Sequence, residues 1–137
     1  MPSNLHHAQE FIRQELNAET LPAVAFVSTV EDAVREADLA IDCVPDELES
    51  KLEILWLMDR MAPPRTVFAT PTTRLSIADL AACTYRPDKC VAIAGESWSL
   101  GEGTELEVRT TPATSPETLA LVERFWSALG MKANFSG

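Results

Sequence analysis

Thr70, Thr72 and Thr73 lie in the stretch VFATPTTRLSIADL, residues 67–80, where an apolar run gives way to hydroxyls and then to a helical pattern. In open α/β proteins ligands bind in the crevice beyond the carboxyl ends of the strands, so this crest is the first place to look for chemistry. A second polar cluster, Asp46 and Glu47 with Lys51 close behind, follows the apolar run LAIDCV (39–44). A serine or threonine becomes a nucleophile only beside a positioned base. Both histidines, His6 and His7, are remote in sequence from every strand end, and no GxSxG elbow is present. On their own terms the hydroxyls of 70–76 read as turn and capping groups. Asp46 and Glu47 read as acids at a helix N-terminus, where the dipole favours them.

Metal and phosphate chemistry find no better footing. Adjacent histidines on a helix point about 100° apart and cannot hold one metal together. Cys43, Cys83 and Cys90 are odd in number and lack CxxC spacing, so reduced thiols and no metal site are expected. A dinucleotide site wants a glycine-rich turn between a strand and a helix. None of the five glycines, Gly95, Gly101, Gly103, Gly130 and Gly137, stands in such a turn. The net charge of -10 and a pI near 4.5 oppose nucleic-acid binding. No run approaches the roughly 20 apolar residues of a membrane span, and the N-terminus lacks a signal peptide's apolar core. A cytoplasmic protein with no membrane segment is the expectation.

The elements that must position these residues follow from periodicity and caps. At 137 residues one domain is expected. Residues 1–20 form an N-terminal helical segment, its helix over 3–17 with Leu5, Ala8, Phe11, Ile12 and Leu16 on one face. AVAFVS (23–28) reads as a short strand, and Thr29 caps the helix VEDAVREA. LAIDCV, a continuous apolar run with one acid, reads as a strand buried on both faces. Pro45 and Asp46 open the helix ELESKLEILWLMDRM, which ends before Pro63-Pro64. RTVFAT (65–70), CVAIAG (90–95) and ELEVRT (105–110) are further strands, with KANFSG (132–137) a closing one. Capping boxes are expected at Ser76/Asp79 and at Thr114/Glu117, the latter starting ETLALVERFWSAL, which Gly130 terminates. Strands alternating with helices imply βαβ units and a mostly parallel sheet.

Beyond residue 23 the order of segments resembles the NAD-binding domain of 3-hydroxyacyl-CoA dehydrogenases. ADLAIDCVPDE is similar to that family's "ADLVIEAVPE", APP and ATPTTRLSI to its "APP" and "ATNTSSLSI", RPDK to "RPER", and CVAIAGESW to "GLHFFNP". TELEVRTTPATSPETLALVERFWSALGMK resembles its "LVEV…T…TSPET…ALGK" end. The resemblance implies an α/β, Rossmann-like three-layer sandwich with a mostly parallel sheet, in truncated form. The family's glycine-bearing first βαβ unit is expected before residue 1, and its helical domain beyond residue 137.

The resemblance also implies roles, residue by residue. The family's substrate-contacting Ser falls on Thr73, which keeps a hydroxyl, and the neighbouring Asn falls on Pro71. The acid and lysine on the cofactor's nicotinamide side fall on Asp46 and Lys51. The catalytic His falls on Ala94, the Asn after it on Ser97, and the Pro on Trp98. Hydride transfer from a 3-hydroxyl needs a base, and alanine is none. The expectation is therefore a relative without dehydrogenase activity alone, binding no cofactor alone although the family takes NAD(H), and acting through association. Half of a split NAD-dependent dehydrogenase, completed by another chain, and a module binding acyl-CoA or another small ligand remain as alternatives.

Two features suggest partners. ILWLM (54–58) wraps apolar side chains around well over half a helix, and Trp56-Leu57 either packs inside or forms an exposed patch. In the family the missing strands lie between those matching AVAFVS and LAIDCV. Those two strands either close up or leave an open sheet edge. A homodimer, a strand-exchanged dimer or a completing protein is expected there.

Overall fold

The computed structural model describes residues 2–94 and 103–137. Helix α1 (Pro2–Glu15) is followed by a 3-10 turn at Leu21–Ala23, α2 (Val30–Val34), β1 (Leu39–Ile41), α3 (Leu48–Met61), β2 (Val67–Pro71) and α4 (Ile77–Ala81). A second 3-10 turn at Pro87–Lys89 leads into β3 (Cys90–Ala94), and β4 (Glu105–Arg109), α5 (Pro116–Ala128) and β5 (Lys132–Ser136) complete the order. The sheet runs β1-β2-β3-β4-β5, with only the β3–β4 pair antiparallel. Among the described residues no helix is long and apolar enough to cross a membrane.

Alternation along the strands builds two cores, one on each face, as the pleat requires. Ala40, Phe68, Cys90 and Ala92 meet Leu55 and Met58 of α3 and Leu80 of α4 on one face. Val67, Ala69, Val91, Ile93, Leu106 and Val108 meet Val122 and Trp126 of α5 on the other. The result is the expected three-layer α/β sandwich. β2 and β3 are buried on both faces, which explains their unbroken apolar sequence.

Local chemistry sets most boundaries. Thr29 accepts the amide of Asp32, and Ser76 that of Asp79. The cap of α5 is Ser115, which accepts the Thr118 amide, one residue beyond the expected Thr114. Thr114 instead accepts the amide of Thr111 and closes the turn before the helix. Gly130, at φ +76°, ends the α5 turn in the left-handed region that glycine adopts without strain.

The larger correction concerns residues 23–28, expected as a strand. No described strand lies beside them, so no ladder forms, although Val24 is extended at φ −102°, ψ 122°. Among the described residues β1 is the end strand of the sheet. α1 is comparably loose: none of its side chains from Leu5 onward is fully buried, and Phe11 is 63% exposed.

Arg86 fastens the opposite end of the α3–β2 unit. Its guanidinium donates to Asp59 Oδ1 at 2.7 Å, to the Pro63 carbonyl at 2.6 Å and to the Asp59, Ala62 and Thr66 carbonyls, while lying 4.6 Å over the Phe68 ring. This fan caps the C-terminal carbonyls of α3 and compensates a nearly buried acid. Arg86→Ala leaves the buried Asp59 charge with only the Tyr85 amide as donor and strips those carbonyls of the guanidinium. It is expected to destabilise the fold by about 3–5 kcal/mol in denaturant unfolding, with Arg86→Lys recovering only part of the loss.

Candidate functional site

The carboxyl ends of β1, β2 and β3 carry the crest, and two acids organise it. Asp42 immediately follows β1, where the pleat turns it towards the helix-covered face. Lys51 lies in the first turns of α3 on the same stripe as Leu55 and Met58, so it too points inward. Lys51 Nζ donates to Asp42 Oδ1 at 2.7 Å, and each side chain is 1% exposed. A buried charge persists only when paired, and here each is the other's partner. Asp42 Oδ2 and the Thr70 hydroxyl are buried nearby in the strand ends without hydrogen-bond partners among the described residues.

Asp46 organises the outer layer. Its Oδ1 accepts the Thr72 hydroxyl at 2.6 Å, and its Oδ2 accepts the Thr73 amide at 3.0 Å and the Thr73 hydroxyl at 3.1 Å. Burial alone raises this carboxyl's pKa. The hydrogen bonds from Thr72 and Thr73, with the Lys51 charge, outweigh that and hold it below its ordinary value. Thr72 also accepts the Leu75 amide, so its hydroxyl closes the turn into α4. The hydroxyl crest is thus a latch joining the loop after β1 to the loop after β2.

Thr73, Asp46 and Lys51 do come together, but Lys51 is sealed beneath the crest while Asp46 and Thr73 bind each other. Ala94 ends β3, half-buried, with only a methyl to offer. Ser97 and Trp98 lie outside the described residues. None of the cysteines makes a disulfide, and burial pushes the Cys90 thiol up to about 11. The five-residue run in α3 is mostly inside: Leu55 and Met58 are buried, Ile54 and Leu57 partly so. Trp56 is 51% exposed, with the Arg60 guanidinium 4.6 Å over its ring.

Sequence reasoning missed Asp42 and Arg109. Asp42 carried a signal, being the one acid in a run of buried-strand character, which demands a cation nearby. Arg109 carried none: it reaches the crest from β4, donating to the Thr73 carbonyl at 3.2 Å. With Arg74 it lines a groove of about 420 Å³ beside Ser76 and Thr110.

The fold and crest define a Rossmann-like α/β domain. Residues 3–134 match the family described as 3-hydroxyacyl-CoA dehydrogenase, NAD binding domain, and the chain belongs to that family. It is 28% identical over 127 residues to the human mitochondrial hydroxyacyl-coenzyme A dehydrogenase, covering 93% of this chain and 38% of that protein. It is 32% identical over 108 residues to the L-carnitine dehydrogenase of Burkholderia mallei, covering 78% and 33%. Among solved structures, a diketoreductase shares 28% identity and a TM-score of 0.76 over 98% of this chain and 50% of its own. The (S)-3-hydroxybutyryl-CoA dehydrogenase of Ralstonia eutropha, at 22% identity, shares the fold with a TM-score of 0.77, covering 95% and 47%. The chain spans well under half the length of these curated relatives.

The buried pair gives a sharp expectation. Lys51→Met strands Asp42 and is expected to cost about 3–5 kcal/mol, whereas Asp42→Val with Lys51→Met removes both charges and recovers most of it. Urea unfolding of the two variants checks this. Equal losses in both would show that shape, not charge pairing, sets the cost.

Proposed function

We propose that the chain is a catalytically silent relative of the NAD-binding domain, acting through association with itself or with a completing protein. Ala94 carries this reading. Oxidation of a 3-hydroxyl requires a group that takes the hydroxyl proton as hydride leaves, and a general base contributes typically 10²–10⁴-fold, an order-of-magnitude range. The methyl at the end of β3 accepts no proton.

The surrounding residues support the same reading. A dinucleotide would need polar groups free to meet it, yet Lys51 spends its charge on Asp42 and both Asp46 oxygens accept internal donors. As engaged here, Lys51 and Asp46 offer NAD(H) no free group.

Two other readings keep an observation each. The open β1 edge favours half of a split NAD-dependent 3-hydroxyacyl-CoA dehydrogenase completed by another chain. The groove holding Arg74 and Arg109 favours a module for acyl-CoA or another small anionic ligand, since guanidinium pairs bind phosphate and carboxylate well.

The test is NADH oxidation with a short 3-ketoacyl-CoA. The purified chain and its Ala94→His variant are both expected to give the enzyme-free rate. Turnover by the unmodified chain alone would overturn the silent reading.

A further inference from the structure

We propose that the groove beside α4 is a site for a small organic carboxylate, clamped between Arg74 and Arg109; this rests on the small-ligand reading above and narrows it to one ligand class. The groove encloses about 420 Å³, a size that suits a small molecule. Its charged side chains are the two arginines. That lining runs against the chain's net charge of -10. The other described grooves carry acids: Asp42 lines the one along β1, and Asp32 and Glu36 line one beside α2. A concave surface whose sign opposes that of the whole molecule favours a ligand of the molecule's own sign, here an anion.

The backbone brings the two cations together. Arg109, the last residue of β4, donates from Nη2 to the Thr73 carbonyl at 3.2 Å, and that carbonyl immediately precedes Arg74. One guanidinium is thus anchored on the backbone that carries the other. Arg109 Nε also lies 3.9 Å from Glu107 Oε1, a long and partly exposed pair of the kind that contributes little. Most of the five N–H donors of Arg109 therefore remain for a ligand. Arg74 is exposed, and no hydrogen bond or ion pair engages its side chain among the described residues. It stands where the "ATNTSSLSI" motif has a serine, so the clamp is separate from the hydroxyl crest that the resemblance implies.

Shape and charge select the ligand. Leu75, Ile77 and Pro112 give the groove apolar wall, and Thr110 and Thr111 add polar rim. A short apolar body with one charged head matches that lining. The guanidinium fork meets the two oxygens of a carboxylate in parallel hydrogen bonds. Each further negative charge on the ligand is repelled by the chain's own field, and Glu107 stands beside Arg109. A singly charged head is therefore favoured over a phosphate dianion. The several phosphate charges of a CoA thioester exceed what two guanidiniums neutralise.

The experiment is a titration of the purified chain followed by amide chemical shifts in nuclear magnetic resonance, at constant ionic strength. The probes are butyrate, its neutral isostere butyramide, butyl phosphate and butyryl-CoA. Butyrate is expected to bind saturably, with shifts centred on residues 74–78 and 109–111, and butyramide is expected to cause none there. Arg74→Gln and Arg109→Gln should each weaken butyrate binding by about tenfold. Arg109→Lys, which keeps the charge without the fork, should recover only part of that loss. The variants' own amide spectra report whether they fold, and Arg74→Gln, at an exposed position, carries the test if Arg109→Gln does not. No saturable shift with butyrate overturns the proposal, as does binding that the folded glutamine variants keep. Butyl phosphate binding more tightly than butyrate at the same amides overturns the choice of a carboxylate. Butyryl-CoA binding there without butyrate keeps the small-ligand reading while this inference falls, and silence from all four probes removes both.

Discussion

The buried pair between Asp42 and Lys51 is the constraint around which the rest of the crest is arranged. An acid at the end of β1, 1% exposed, demands a counter-charge, and only a side chain reaching in from α3 supplies it. That demand fixes how the chain leaves the strand and enters the helix over residues 43–47. The same path places Asp46 against Thr72 and Thr73, so the loops after β1 and β2 are clamped together.

The functional consequence is an outer layer in which Asp46, Thr72 and Thr73 satisfy one another, while Asp42 Oδ2 and the Thr70 hydroxyl beneath lack a described partner. Groups that in a working site would wait for a ligand are here engaged with one another. Lys51 balances an internal acid, and Asp46 is held ionised by three internal donors. A ligand at this crest must compete with hydrogen bonds already made. Away from the crest, the described grooves are the arginine-lined one beside α4 and the apolar one along β1.

Much of the fold was legible because its signals are local. The caps at Thr29 and Ser76 and the apolar runs of β2 and β3 each follow from chemistry within a few residues. What resisted reading depends on distant neighbours. Residues 24–28 have a strand's composition, but a strand is a property of two segments, and no second one stands beside them among the described residues. Lys51 falls on the apolar stripe of α3, a clue that needed the acid nine residues earlier to become an ion pair. Arg86, within a motif quoted for its resemblance, revealed its role only when α3 and β2 brought five acceptors to it. Of the site, the meeting of Asp46 with Thr73 was implied by family resemblance, but their mutual occupation was not.

Calorimetric titration of the purified chain with NADH tests the self-satisfied crest most directly. The expected result is no saturable heat up to millimolar ligand. Saturable binding in the micromolar range would contradict the account, because it would mean that the crest opens to a dinucleotide despite the Asp42–Lys51 pair and the Asp46 latch.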